Sequence, residues 1–456
     1  MSFITRTARF AVVAATLTLA ACASYSPNYD ALNQQVRTES APLPVDADIA
    51  ELIGYAQRHH PAVLAAKARL QGARADSVAA GAFADPQLNL SQGLNDADYQ
   101  TLGITQEIPV FGRRAMSIEQ ARAAERAAQA RLDEVKADLA ANVVEAFSEY
   151  LYVRENQLLQ RDLIQLLEQF TAVAERSYAA GSVSMPDLLR AQNALDEARS
   201  DYQNLDAMLF SQRARLNSAL GRDARMDLEG EYSLSQSHSQ FAHLPAPPDE
   251  LYAQVTEQNP ALLASRYEVE SMLVARDIAG SVGLPRLMVG AEYMNTDMAS
   301  DTVTGMVSVS LPIWRSNYRA QRDAAEADVQ TGLQQLQAAE LEAQAELSMA
   351  LYQWQDAERN RELYGNVLVA RAEQAVSTTL SNYQSGTAGF TDVITSQQEW
   401  LSFALAHRRA LANQLAAVAT IYALIPSLNP SGMASTNPSP VTSVNKVEVE
   451  HEVEHE

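Results

Sequence analysis

The second half of this 456-residue chain repeats the first half at a nearly constant spacing. The matching positions, in chain order, are His60 to Leu64 with Asn259 to Leu263, Pro86 with Pro285, Pro109 with Pro312, and Tyr178, Gly181, Asp187 and Gln192 with Tyr383, Gly386, Asp392 and Gln397. The offset grows along the chain from 199 to 203 to 205 residues. Ordered self-similarity of this kind indicates a duplicated structural unit. We therefore expect two copies of one plan.

Each copy contains a predicted strand hairpin between its two prolines, at 86–109 and 285–312. Apolar residues alternate there with polar or small ones on either side of a turn, the period of a half-buried strand. They are Leu88, Leu90, Leu102, Ile104 and Ile108 in the first copy, and Leu287, Val289, Ala291, Tyr293, Val303, Val307, Val309 and Leu311 in the second. Strands of about nine or ten residues can cross a bilayer, although such hairpins also form sheet edges in soluble proteins.

Long helices are predicted after each hairpin. Residues 113–180 contain no glycine or proline, and a continuous helix of that length would extend roughly 100 Å. A second helix over 187–220 follows, and apolar residues in both helices are spaced alternately by three and four, which is typical of a coiled-coil seam. They are Leu159, Leu163, Leu166, Phe170 and Val173 in the first helix, and Leu188, Ala191, Leu195, Ala198, Tyr202, Leu205 and Leu209 in the second. The two are expected to pack antiparallel around a turn at 181–186. The second copy has the same plan, with helices over 315–385 and 390–425.

The N-terminus resembles a bacterial export signal, because Arg6 and Arg9 precede an apolar run that is too short to span a membrane. The run ends in Leu-Ala-Ala-Cys, which looks like a lipoprotein box. Cleavage there would leave Cys22, the only cysteine in the sequence, as a lipidated N-terminus. The alternative is an ordinary signal peptide with an incidental cysteine.

The whole chain is divided by these patterns into six predicted segments. They are a signal peptide at 1–21, an N-terminal linker at 22–45, a first repeat at 46–230, an inter-repeat linker at 231–249, a second repeat at 250–427 and a disordered tail at 428–456. A helix opens each repeat before its hairpin. The tail is assigned as disordered because its first part is rich in Pro, Ser, Thr and Asn.

The composition narrows the functional class. A formal net charge of -22 disfavours nucleic acid and anionic lipid as partners and favours cationic cargo, although excess acid also keeps a secreted protein soluble. After the signal no run of 18 apolar residues remains, which excludes a helical membrane protein but not a strand-based one. The sequence contains no phosphate loop, nucleophile elbow or His-Glu-x-x-His motif, so neither enzymatic activity nor a cofactor is expected.

Four strands per chain are too few to close a barrel, and strand edges exposed to lipid would leave backbone groups unpaired. Several chains must therefore share one barrel. Two chains would give eight strands around a filled lumen, and three would give twelve around a water-filled passage. The expected fold is mainly α with membrane β: long antiparallel helical hairpins form a tunnel, and four transmembrane strands per chain enter a shared 12-stranded trimeric barrel.

From about Asp46 to Ser427, the sequence resembles the TolC-type outer-membrane efflux channel family. The resemblance rests on the run Thr105-Gln-Glu-Ile-Pro-Val-Phe-Gly-Arg-Arg114 and on Tyr-x-x-Gly-x-x-x-x-x-Asp turns that begin at Tyr178 and Tyr383. It implies a homotrimer in the outer membrane that spans the periplasm and docks by its hairpin tips on a periplasmic adaptor and an inner-membrane pump. The pump implied is of the RND (resistance-nodulation-division) type.

The resemblance also implies roles for the turn residues. Tyr178, Gly181, Tyr383 and Gly386 match the family's tip positions, and so do Asp187 and Asp392. The second-repeat aspartate forms part of a ring that narrows the closed aperture in the family. Thr395 stands where a further acidic ring member is found, so this aperture is expected to be less acidic.

Two aromatic residues directly follow the closing prolines. Phe111 and Trp314 are expected either to form a girdle at the periplasmic membrane surface or to pack at the strand-to-helix bend. His59 and His60 look like a metal pair, but Gln258 and Asn259 occupy the equivalent positions, which favours a surface-helix role.

The C-terminal end alternates glutamate with histidine. His451 and His455 are candidate nitrogen ligands for zinc, cobalt, nickel or copper, although a solvated acidic tail is the simpler interpretation. The tail, the acidity and the Leu-Leu-Arg-Ala-Gln run from Leu188 to Gln192 favour a resemblance to the heavy-metal branch of the family, for cobalt-zinc-cadmium or copper-silver. Two alternatives are a duct for drugs or secreted proteins and a lipid-tethered periplasmic coiled-coil scaffold.

Overall fold

The structure is a computed structural model that describes residues 42–92, 99–296 and 299–428. The first repeat comprises α1 (Ile49–His59), α2 (Pro61–Ala79), β1 (Gln87–Gln92), β2 (Tyr99–Ile108), α3 (Arg113–Ala179) and α4 (Met185–Leu220). The second comprises α6 (Pro248–Gln258), α7 (Pro260–Ser281), β3 (Leu287–Thr296), β4 (Ala299–Val309), α8 (Arg315–Arg361), a π-helical turn (Glu362–Leu368), α9 (Val369–Gln384), α10 (Phe390–Leu424) and a final 3-10 turn (Pro426–Leu428). The predicted fold class, mainly helical with strand hairpins, is confirmed.

The structure adds a helix and a local irregularity to the predicted elements. The inter-repeat linker predicted at 231–249 contains α5 (Leu234–Phe241). The single helix expected over 315–385 is helical throughout, but it includes the π-helical turn. At that turn Gly365 lies so close to His407 that an added Cβ would be 2.6 Å from the ring Nε2, so a side chain at this position would meet the histidine.

The bend between the first two helices of each repeat is built by the same local chemistry. His60 caps α2 by accepting a hydrogen bond at Nδ1 from Ala62 N–H (3.1 Å), and Pro61 occupies the first helical position. In the second copy Asn259 Oδ1 accepts from Leu262 N–H (3.0 Å), again directly before a proline. Proline is favoured there because the first helical N–H needs no partner. The repeated His/Asn-Pro pair is therefore a helix-start signal.

Within the described residues the strands form one antiparallel sheet in the order β1-β2-β3-β4. The two hairpins supply the outer pairs, and β2 pairs with β3 to join the repeats. That central pairing runs in continuous register from Tyr99 opposite Thr296 to Ile108 opposite Leu287. Because β2 and β4 run in the same direction, both long helices begin at the same end of the sheet.

The helices pack in neighbouring pairs that cross the repeat boundary. α3 contacts α4, α7 and α10, and α8 contacts α7 and α10. The second-repeat core includes the fully buried side chains of Leu251, Leu347 and Ile421. α5 closes one side of this bundle, and the carbonyl of Ala242 just after it accepts a hydrogen bond from Trp354 Nε1 (3.0 Å). None of the described helices is both long and apolar enough to span a membrane.

Of the coiled-coil seam predicted for α4, Leu188, Ala191, Leu195 and Ala198 are buried, whereas Tyr202, Leu205 and Leu209 are half-buried. The seam predicted for α3 is partly wrong. Leu167 is buried in place of Leu166, and Ala174 in place of Val173, which is exposed. The reason is that this part of α3 packs against α10 as well as α4, so its buried stripe turns away from a simple two-helix seam.

Candidate functional site

The two faces of the sheet differ in chemistry. Residues opposite one another in an antiparallel pair point to the same side, so the register assigns every side chain to a face. One face carries Leu88, Leu90, Leu102, Ile104, Gln106, Ile108, Leu287, Val289, Ala291, Tyr293, Val303, Gly305, Val307 and Val309, with Gln92, Gln100 and Asn295 at its loop end. The other carries Gln87, Asn89, Ser91, Thr101, Gly103, Thr105, Glu107, Met288, Gly290, Glu292, Met294, Thr302, Thr304, Met306 and Ser308. One face is therefore mainly apolar, with polar residues at its loop end, and the other is mainly polar.

The apolar face is open to the surroundings rather than covered by helices. Val303 and Val307 are more than 70% exposed, and Leu88 and Leu90 are also exposed. Large exposed apolar patches mark membrane or protein contact surfaces, because water disfavours them. A transmembrane barrel has this arrangement, with apolar residues outside and polar residues inside.

The helical hairpins end in two turns of identical backbone geometry. Gly181 and Gly386 adopt left-handed φ values of +72° and +78°. Their N–H groups donate to the carbonyls of Tyr178 (2.9 Å) and Tyr383 (3.0 Å). The N–H of the residue after each glycine donates to the carbonyl five residues before it. This is the Schellman arrangement that ends a helix, and glycine is favoured because it lacks a Cβ. The glycines of the turn motif are thus helix caps.

The first-repeat aspartate connects the two tips. Asp187 Oδ2 accepts a hydrogen bond from the hydroxyl of Ser184, which begins α4 (2.6 Å). Its Oδ1 accepts from Arg190 Nη1 (2.9 Å), and the same nitrogen donates to Thr391 Oγ1 of the second-repeat tip (3.3 Å). The carboxylate therefore holds an arginine that bridges the repeats.

The second-repeat aspartate has a different environment. Asp392 Oδ2 accepts from Gly389 N–H (2.8 Å), so the carboxylate caps α10, where the positive helix end favours it. In the described part of the chain no cation pairs with it. Thr395, at the position where the resemblance implied a further acid, donates its hydroxyl to the carbonyl of Thr391 on its own helix (2.9 Å). Asp392 is therefore an unneutralised charge at the tip.

Phe390 is the packing centre of the tips, and the sequence pattern did not single it out. It is 4% exposed and its ring meets Phe170 and Tyr383 edge-on, with centroids 6.3 and 6.1 Å apart. Met185 occupies the equivalent position in the first repeat and is 46% exposed. The second-repeat tip thus packs a buried aromatic side chain against the first, whereas the equivalent side chain of the first repeat is exposed.

The remaining predicted site residues lie apart from the tips. Phe111 and Trp314 are exposed at the two strand-to-helix junctions, and their membrane-interface role stays a prediction. His59 lies against the Tyr55 ring (4.8 Å), while His60 is a helix cap whose pKa is lowered by burial. No group of three or more metal-ligating side chains occurs within the described ranges.

Three predicted residues, Cys22, His451 and His455, lie outside the described residues.

Comparison with known proteins gives concordant matches. A family model described as Outer membrane efflux protein matches residues 52–222 and 251–427, which are most of the two repeats. The cobalt-zinc-cadmium resistance protein CzcC of Cupriavidus metallidurans is 26% identical over 320 residues, covering 69% of this chain and 74% of CzcC. Similar solved structures include the outer membrane protein VceC of Vibrio cholerae, with TM-score 0.69, 19% identity and coverage of 82% of this chain and 95% of VceC. CusC matches with TM-score 0.71 and 17% identity over 88% of this chain and 98% of CusC.

The asymmetry of the tips leads to a prediction. Phe390→Ala should destabilise the protein by about 3–5 kcal/mol, because it opens a cavity between the two hairpins. Met185→Ala, at the equivalent position, should change stability by less than about 0.5 kcal/mol. Hydrogen exchange of the tip peptides, together with thermal unfolding followed by circular dichroism, measures both. Equal loss of protection in the two variants would contradict the packing described.

Proposed function

Because the chain belongs to the outer membrane efflux protein family, we propose that it is the exit duct of a tripartite efflux pump. It is a non-enzymatic channel protein of the outer membrane. The observation that carries the duct proposal is the amphipathic sheet, whose apolar face is open and whose polar face suits a wet lumen. The long helical hairpins extend the passage from one end of this sheet.

A shared barrel of three chains is the assembly that fits the sheet. An even number of strands leaves its edges, β1 and β4, running in opposite directions. β4 of one copy can therefore pair with β1 of the next without breaking the antiparallel pattern. Three copies give twelve strands, wide enough for a water-filled passage, and they satisfy the backbone groups of both edges.

Docking is assigned to the opposite end of the molecule. The turns at 181–186 and 386–391 would contact a periplasmic adaptor, which connects the channel to an inner-membrane pump of the RND type. Asp392 of each copy would contribute to a ring of carboxylates that narrows the aperture. The absence of a paired cation at this carboxylate in the described residues supports that role.

Heavy-metal cations are the proposed cargo. The relation to a cobalt-zinc-cadmium resistance protein and the net charge of -22 both support it. His451 and His455 would add weak divalent-metal ligands to the tail. The duct itself needs no cofactor, because the pump supplies the energy.

A covalent lipid on Cys22 would hold the N-terminus at the membrane. Growth in labelled palmitate should label the wild-type protein but not Cys22→Ser, and equal labelling of the two would contradict the anchor.

Planar-bilayer recording tests the channel directly. Purified protein should insert and conduct ions, because three amphipathic sheets enclose an aqueous lumen. A trimer should also be recovered from outer-membrane fractions. Absence of conductance together with a purely periplasmic, non-trimeric protein would support the coiled-coil scaffold instead.

The same recordings test the tip aspartate. Asp392→Asn removes the charge but keeps an oxygen to accept the Gly389 N–H, so the turn should stay intact while the cation-to-anion permeability ratio falls. Asp223→Asn removes an identical charge from the loop at the other end of α4 and should leave the ratio unchanged. Equal effects of both variants would argue against an aperture role.

Deletion of the gene tests the cargo. Tolerance of zinc, cobalt, cadmium or copper should fall several-fold, while tolerance of organic drugs should not change. Complementation with the wild-type gene should restore metal tolerance. Lost drug tolerance with unchanged metal tolerance would assign the duct to drug export, and loss of a secreted protein would assign it to secretion.

A further inference from the structure

A cavity of about 220 Å³ lies where β2 turns into α3. Its charged lining consists of Arg113, Arg114 and Arg286, with Glu107 as the single acidic side chain. Ser117 and Phe83 also line the cavity. Three cationic groups against one carboxylate suit an anionic ligand better than a neutral one.

Two of the arginines of this cavity donate to backbone carbonyls. Arg113 donates from Nη2 to the carbonyls of Ser281 (2.5 Å) and Leu284 (3.2 Å). Arg114 donates from Nε to Gly81 O (2.7 Å), and its guanidinium lies 5.0 Å from the Phe83 ring centroid. In the ranges that the structure describes, none of the three cavity arginines forms an ion pair with a carboxylate.

Two arginines further along the same helix are paired with carboxylates. Arg126 pairs with Glu270 (2.8 Å) and Arg131 with Glu268 (3.1 Å), so these two charges are neutralised within the helical bundle. Arg154, Arg161 and Arg176 of α3 form no ion pair in the described residues, so the junction is distinguished by the gathering of unpaired arginines around one cavity. It contrasts with a chain whose net charge is -22.

The basic residues also sit where the helix dipole disfavours them. The first turns of α3 and α8 contain arginine but no acidic residue. The starts of α4 and α10 follow the usual preference, with Asp187 and Asp392. Because a helix start carries a partial positive charge, arginine there is destabilising unless an anion is close.

The junction also marks a boundary in polarity. The apolar sheet face ends here, and exposed Phe83, Phe111, Ile313 and Trp314 lie in the adjoining segments. Exposed aromatic residues at the end of an apolar strand band are typical of the level of lipid headgroups. An anion at this level is therefore supplied most simply by the membrane.

We propose that this junction binds the phosphate of an anionic glycerophospholipid, with Arg114 and Arg286 as the main donors. The inference rests on the proposed membrane position of the sheet. Guanidinium groups match phosphate with two parallel N–H donors, and the acyl chains of the lipid would lie along the apolar face. Binding would fix the depth at which the barrel sits, although the acidic chain as a whole repels anionic lipid.

The test is a lipid titration of the intact protein in nonionic detergent, with bound lipid counted by native mass spectrometry. Dioleoyl phosphatidylglycerol should bind more tightly than dioleoyl phosphatidylcholine, whose choline offsets the phosphate charge. Arg114→Gln with Arg286→Gln should weaken phosphatidylglycerol binding by about fivefold for each arginine removed. Phosphatidylcholine binding should change little.

Matched controls separate a site from general charge. Arg225→Gln with Arg371→Gln removes the same charge from exposed positions away from the junction and should leave phosphatidylglycerol binding intact. The proposal is overturned if both double variants lose affinity equally, if neither does, or if millimolar inorganic phosphate displaces the lipid completely. Bilayer conductance separates this proposal from the proposed function. A protein that conducts but does not prefer phosphatidylglycerol refutes only the phosphate site. A protein that does not conduct refutes the duct.

Discussion

The pairing of β2 with β3 is the constraint on which the arrangement of the two repeats depends. Its unbroken register places both strand-to-helix junctions at one end of the sheet, so α3 and α8 begin at the same end. A shift of one residue would turn every side chain of a strand to the opposite face and would mix the apolar and polar surfaces. The backbone pairing thus determines the direction of the long helices as well as the chemistry of each face.

Local signals explain the parts of the fold that the sequence predicted well. The breaker-free run 113–180 corresponds to helix Arg113–Ala179, and alternation of apolar residues with polar or small ones marks the strands. Such features depend only on residues a few positions apart in the chain, so they can be recognised in the sequence alone. The spacing of glycine and aspartate in the turns likewise identified both tips, because a left-handed cap and a helix start are local requirements.

Contacts between elements were harder to predict. Leu166 and Leu167 are adjacent apolar residues, and only the position of α10 decides which one is buried. Phe390 and Met185 share a repeat position, yet only the first is enclosed by another hairpin. The Arg190–Thr391 contact joins residues 201 positions apart, so neither period nor motif reveals it. The sequence pattern identified the turn residues but not the packing between the turns.

The two repeats therefore share a backbone conformation at their tips but differ in the side chains around it. Ser184 begins α4 with a hydroxyl, whereas Gly389 begins α10 with none, and the carboxylate three residues later takes over the capping. One aspartate is consequently engaged by Arg190 and the other remains unneutralised. Divergence at a few side chains gives each tip its own chemistry without altering the turn itself.

The unpaired outer strands of the sheet have a consequence for inheritance. Within the described sheet β1 and β4 are edges, and in the proposed ring each seam joins β4 of one chain to β1 of another. A chain whose β1 cannot pair could still pair through its intact β4 with β1 of another chain. It could therefore enter a ring and leave one seam of that ring unclosed. Damage confined to one edge would thus behave as genetically dominant, whereas loss of the whole chain would be recessive.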